Sequence, residues 1–245
     1  MREPIKIFIS TLFPSKVGKR PIRVVAKLLE DLPWMCRNYE KGCREIKMDV
    51  KDLEHHQRKC IFRPVFCPYV FCNEEKVMFK DIIEHYETCH RKMNTQKMVN
   101  GETNKWNMRY PAKDVNFDKP SQESWTSTKV TTSCGYDFTV VAYLVDKSFN
   151  FWLNFLGSAD EAKMFTCLWS FNSKSGNEYS YRGEVHTLDK GKDDITASGS
   201  FFAIPINAVK FSSDEKKCFK VEVTIRNLKE EAKDSDTSSG VSDDE

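Results

Sequence analysis

No run of 18 or more apolar residues occurs in the 245-residue chain, and a bilayer-spanning helix needs about 20. A surplus of one charge sign is also missing. Lys and Arg number 38 against 36 Asp and Glu. The net charge of +2 supplies no global field toward nucleic acid, membranes or acidic substrates. A signal sequence is not expected either. Lys6 splits the short apolar stretch at the N-terminus, and no small-residue cleavage site follows. Histidine is scarce, with 5 in all, and residues 1–35 hold neither Cys nor His.

Hydrophobic residues at 40% and aromatics at 12% are enough to build a core, which excludes a chain disordered throughout. There are 9 Cys, unevenly placed. Cys36, Cys43, Cys60, Cys67, Cys72 and Cys89 crowd one stretch together with His55, His56, His85 and His90. In a reducing compartment such clustering reads as metal binding before disulfides, and an odd count does not fit a fully paired framework. The expected location is cytoplasmic, extending to the nucleus.

Four segments follow from composition. Residues 1–33 form a basic segment. Val17, Ile22, Val24, Val25, Leu28, Leu29 and Leu32 fit a short helix there, with Pro21 in its first turn and Pro33 ending it. Residues 34–92 are the Cys/His region, with helical stretches at Asp49–Lys59 and Val77–Thr88. Residues 93–228 carry strand signals. Lys105–Tyr110 is a short candidate strand, and Phe138–Val145 and Phe149–Leu156 are apolar runs. Tyr179, Tyr181, Gly183 and Val185 alternate with polar neighbours, as do Phe219, Val221, Val223 and Ile225. That period of two marks half-buried strands, and many short strands divided by turns predict an antiparallel sandwich. Residues 229–245 read as a disordered acidic tail that cannot bury enough surface to fold.

The Cys/His spacing carries the chemistry. Six residues separate Cys36 from Cys43, twelve separate Cys43 from His56, and three separate His56 from Cys60. Four residues separate Cys67 from Cys72 and twelve separate Cys72 from His85, and Cys89 and His90 follow His85 with three and four residues between. Each unit takes two Cys from a knuckle and its other ligands from one helical turn, because i and i+4 share a face. Zn²⁺ takes four such ligands in a tetrahedron. About 25 residues have too little core to fold alone, so metal must complete each unit. Two Zn²⁺ per chain are expected. The i+4 match to Cys60 favours His56 over His55. In the second unit a regular helix favours Cys89, while a helix end or 3₁₀ turn allows His90.

Two other readings compete. Nucleophilic catalysis would need a Cys, a His and an orienting group together. Outside the fingers the candidates are Cys134, Cys167 and Cys218 with His186. The three Cys are expected as sandwich core, and His186 falls on a polar, surface register. Nucleic-acid binding would need a basic stripe, but residues 36–92 hold 12 Lys or Arg and 10 acids. The first helix also lacks the spacing of a DNA-reading finger. A protein-interaction or structural zinc module is favoured.

Leu32–Cys43, reading Leu-Pro-Trp-Met-Cys-Arg-Asn-Tyr-Glu-Lys-Gly-Cys, and the Cys-x-Phe-Arg-Pro-x-x-Cys-Pro junction at Cys60–Pro68 resemble the SIAH-type zinc finger of the seven-in-absentia E3 ubiquitin ligases. The resemblance runs in order over residues 17–228 and is looser in the sandwich. It implies a small zinc-stabilised α+β double finger followed by an all-β antiparallel TRAF-like sandwich. It also favours His90 over Cys89 as fourth ligand, because the family closes its second finger with His-x4-His. The implied function is recruitment of protein substrates, as extended peptides, to ubiquitin-dependent degradation. Homodimers, or heterodimers with a relative, are implied as well. Family members carry an N-terminal RING that recruits the ubiquitin-conjugating enzyme, and residues 1–35 have no ligands for one. The expectation is therefore a RING-less relative that meets that enzyme only through a RING-bearing partner, with an adaptor or decoy lacking ligase function as the alternative.

Overall fold

The computed structural model describes residues 33–72, 76–90, 92–97, 105–111, 115–118, 122–125, 128–132, 134–210, 212 and 218–228. The expected helix of residues 17–32 and the acidic tail of 229–245 lie outside the described residues. The chain divides into two compact units between Gln57 and Arg58, and each is taken by itself.

In the first unit, β1 (Trp34–Met35) pairs antiparallel with β2 (Ile46–Lys47). The knuckle between them turns through a 3₁₀ stretch at Tyr39–Lys41. Gly42 closes it at φ 109, in left-handed space that glycine enters without a steric penalty. Helix α1 (Val50–Lys59) follows, with Leu53 on its buried face. At its start the Asp49 carboxylate accepts from the Lys51 backbone N–H at 2.6 Å, which satisfies one of the donors that a helix N-terminus leaves open.

The second unit opens with another finger. Here β3 (Pro64–Val65) pairs antiparallel with β4 (Val77–Met78), and α2 (Ile82–Cys89) follows a 3₁₀ turn at Phe79–Asp81. The sequence predicted helix from Val77. Instead, Val77 pairs with Val65 and packs on the cluster of Val65, Ile82 and Leu188, so strand pairing claims the first two residues.

The sandwich has two sheets. One holds β5 (Asn94–Lys97), β8 (Thr128–Thr131), β9 (Asp137–Val145), β10 (Ser148–Phe155) and β13 (His186–Thr187), paired in that order; β7 (Glu123–Ser124) joins on β9 and β14 (Phe202–Pro205) on β10. The other runs β12 (Glu178–Glu184), β11 (Phe165–Asn172), β15 (Cys218–Asn227) and β6 (Lys105–Pro111). The β9–β10 hairpin turns on Asp146 and Lys147, at φ 48 and 65, the sign that a two-residue turn needs to match strand twist. Pairing is mostly antiparallel, as predicted, but β5–β8 and β10–β13 are parallel.

Inward residues alternate along β11 (Phe165, Cys167, Trp169, Phe171) and β15 (Phe219, Val221, Val223, Ile225). They meet Phe138, Val140, Leu144, Phe149, Phe151 and Leu153 from the β9–β10 hairpin. Ring pairs such as Phe149–Phe219 at 4.8 Å and Phe151–Trp169 at 5.8 Å build this core. β9 and β10 are buried on both faces, which is why they read as continuous apolar runs. Their outer face, with Val141, Tyr143 and Trp152, is covered by Ile195 of α4 (Lys192–Ser198) and by Val70 of the finger. Two further short helices, α3 (Ala159–Ala162) and α5 (Ile206–Lys210), complete the unit.

Arg63 fastens the finger to the sandwich. Its side chain is 4% exposed. Nη2 donates to the Gly157 carbonyl at 2.6 Å and Nη1 to the Cys60 carbonyl at 3.2 Å. Nε stands 3.4 Å from Asp189 as an ion pair, and the guanidinium lies 3.9 Å over the Phe79 ring. Beside it the Phe66 N–H donates to the Leu188 carbonyl at 2.7 Å.

Two expectations are corrected. His186 is buried, not at the surface: the alternation of β12 ends at Glu184, and the chain then crosses to pair His186 beside Asn154 of β10. Of the three scattered Cys, Cys167 alone is core; Cys134 is exposed in the turn before β9, and Cys218 is half-buried at the start of β15.

Arg63→Ala should cost about 2–3 kcal/mol in urea unfolding, because it strands buried carbonyls. Arg63→Lys should not restore the loss, since a lysine lacks the planar fork. Burial lowers the folded-state pKa of His186, so the unfolded chain takes up this proton first. Stability should therefore fall as pH drops below about 6.5. His186→Gln, which keeps a donor for the Ser200 carbonyl, should flatten that part of the slope in urea midpoints taken from pH 7.5 to 5.5.

Candidate metal centres

Two groups of Cys and His converge. The donor atoms of Cys36, Cys43, His56 and Cys60 all lie within 4.8 Å of one another, and so do those of Cys67, Cys72, His85 and His90. In each, the knuckle between the paired strands presents two Cys, the helix presents a His, and the residue just past the helix end presents the fourth donor. His56 and Cys60 lie four residues apart at the end of α1, with Leu53 on the same buried side. His55 points outward and is exposed.

The two groups repeat one local geometry. The backbone N–H of Asn38 donates to Cys36 Sγ at 3.4 Å, and that of Tyr69 donates to Cys67 Sγ at 3.4 Å. In both, the first Cys accepts from the residue two positions on, a bond that favours the thiolate. The second Cys lies against the helix His in each: Cys43 Sγ to His56 Nε2 is 3.3 Å and Cys72 Sγ to His85 Nε2 is 3.5 Å. A sulfur and a nitrogen on a tetrahedral zinc are about 3.5 Å apart, from bonds of about 2.3 and 2.0 Å. Cys₃His and Cys₂His₂ are donor sets of closed structural zinc sites. Cys36, Cys43 and Cys60 are each 3% exposed or less, so the first group is shielded from water. These residues fit a zinc ion at each group.

The second group contains His90 and not Cys89. α2 ends at Cys89, which is exposed. His90 leaves helical space, at φ −123 and ψ −86. Its ring then stacks on Tyr69 at 4.5 Å and meets His85 edge-on at 5.2 Å. Cys89, although it lies within α2 four residues past His85, stands outside the group.

The catalytic alternative finds no support at Cys167. Its thiol points at the carbonyls of Gly183 and Glu184, 3.6 Å from each. Burial pushes its pKa up to about 11, whereas a nucleophilic thiol needs a depressed one. His186 Nε2 engages the Ser200 carbonyl at 2.6 Å. Sequence reasoning gave no role to Arg63, although it stands inside the quoted Cys-x-Phe-Arg-Pro junction. An Arg between an aromatic and a proline, beside two ligands, was the available signal.

No family model matches the chain. A 75-residue stretch is 28% identical to the E3 ubiquitin-protein ligase SINA-like 4 of Arabidopsis thaliana, over 31% of this chain and 22% of the relative. An 85-residue stretch is 31% identical to SINA-like 6 of the same plant, over 35% of this chain and 30% of the relative. The chain thus spans under a third of either relative. The similarity supports a relation to the SINA family.

Cys60→Ser and His90→Ala should each remove one equivalent of bound zinc, and Cys89→Ser none, in metal analysis of the purified chain. Loss of zinc on Cys89→Ser with retention on His90→Ala would reverse the assignment.

Proposed function

We propose that this protein is a zinc-dependent, substrate-recruiting component of ubiquitin-directed protein degradation. Cys36, Cys43, His56 and Cys60 hold one zinc, and Cys67, Cys72, His85 and His90 hold a second. The observation that carries this reading is the pair of Cys/His groups with matching knuckle geometry, the second joined to a β-sandwich, in a chain similar to SINA-like ligases.

The bound metal supplies a structural crosslink that each small finger lacks by itself. The protein residues do the rest. Arg63 and Phe66 bond the second finger to the sandwich, so that finger braces the binding module. The sandwich, of the TRAF-like type, takes an extended peptide from its substrate by adding it as a strand to a sheet edge. β12 and β6 are the outer strands of the four-stranded sheet. The chain dimerises with itself or with a relative, and a RING-bearing relative brings in the module that binds and orients the ubiquitin-conjugating enzyme.

Two measurements test the reading. Metal analysis should return two zinc per chain, and a value near four would point to a further zinc module. With ubiquitin, its activating enzyme and a conjugating enzyme, this chain alone should build no ubiquitin chains. Robust chains in that reaction would overturn the RING-dependent scheme. Co-expression with a full-length SINA relative should leave turnover of the relative's substrates undiminished, whereas a decoy would slow it.

A further inference from the structure

We propose that the cleft between the second finger and the sandwich binds an extended, overall uncharged segment of a partner protein. This deepens the recruiting function above and rests on it for the class of partner.

The finger meets the sandwich at two apolar footholds. Val65 and Ile82 pack on Leu188, while Val70 packs against Trp152, Tyr143 and Ile195. Between the footholds lies a cavity of about 480 Å³, within the range of sites that take small ligands or short peptide segments. Phe66 and Tyr69 line it from the finger together with Cys67 and Cys72 of the second group, Leu188 and Ile195 from the segment around α4, and Trp152 and Asn154 from β10.

Trp152 and Asn154 make this more than a packing gap. Two apart on β10, they project from the same face of the strand. Each is 4% exposed. Trp152 Nε1 and Asn154 Oδ1 are both buried without a hydrogen-bond partner. Such groups are rare in folded proteins, and each calls for an explanation. One is a donor and the other an acceptor. A peptide unit offers the complementary pair, a carbonyl for the indole N–H and an N–H for the amide oxygen.

The charges around the cleft select for a ligand without phosphate. Lys190 is engaged by Glu184 at 3.1 Å. The Lys192 ammonium lies over the rings of Phe71 and Tyr143, at 5.0 and 5.2 Å. Asp194 accepts from the Gly191 N–H at 3.2 Å, and Asp193 adds a second acid to the lining. Two cations against two acids leave no surplus positive field for nucleic acid or a phosphopeptide.

The test uses the full zinc-loaded chain. A displayed library of random 12-residue peptides is selected on it, and the enriched peptides are synthesised and titrated by fluorescence anisotropy. Trp152→Phe and Asn154→Leu should each weaken binding at least tenfold, with unchanged zinc content and unfolding midpoint. On the wild type, the peptides should shift the indole ¹⁵N–¹H resonance of Trp152. Should Trp152→Phe fail to fold, Asn154→Leu and the resonance still decide. Peptides that bind both variants as tightly as wild type, with the Trp152 resonance unmoved, overturn the cleft, which then holds ordered water only, and leave recruitment standing through another surface. Failure to enrich any peptide overturns the cleft and counts against recruitment itself.

Discussion

A buried guanidinium carries the densest set of bonds between the second finger and the sandwich. Arg63 reaches back to the carbonyl of Cys60, the last donor of the first group, forward to the carbonyl of Gly157, and sideways to Asp189. Burial penalises its charge and Asp189 offsets part of that penalty. A planar fork with several donors can satisfy carbonyls in two directions while its face lies on Phe79. Because Arg63 sits between Cys60 and Cys67, the residues that gather around a metal and the residue that grips the sandwich share one short stretch. The cleft lined by Trp152 and Asn154 exists only because this joint places the finger over the outer face of β10.

The fingers and the sandwich solve the same problem by different means. The sandwich packs two sheets of aromatic and β-branched residues around Trp169 and Phe151, burying enough apolar surface to hold itself together. The fingers bury few large residues: Leu53 in the first, and Val65, Ile82 and Tyr86 in the second. Their order comes from side chains with donor atoms, arranged twice in the same way by a strand pair, a knuckle N–H aimed at sulfur, and a helix. A metal ion converts that arrangement into a crosslink.

Local pattern was a good guide where one face of an element decides burial. The alternation of Phe219, Val221, Val223 and Ile225 reads directly as the inner face of β15. It failed where the chain changes element. His186 continues the polar register of β12 on paper, yet the strand has ended two residues earlier and the next one is buried on both sides. Cys134 is apolar enough for a core but falls in a turn beside Gly135, at φ 81. The parallel pairings of β5 and β13 were illegible for a related reason: each is a short strand whose partner is distant in sequence.

The sequence by itself determined the two Cys/His groups, because ligand spacing is a local property of knuckle and helix. It also determined the strand-rich character of the rest, because period-two burial is written residue by residue. Tertiary structure decided which side chain lies with the second group, His90 just past the end of α2 and not Cys89 within it. It decided that Arg63 is a fastener, since Gly157 and Asp189 lie far along the chain. And it decided that Trp152 and Asn154 face a cleft instead of solvent. A strand's pattern shows which residues share a face, but what covers that face depends on contacts between segments that only the folded chain brings together.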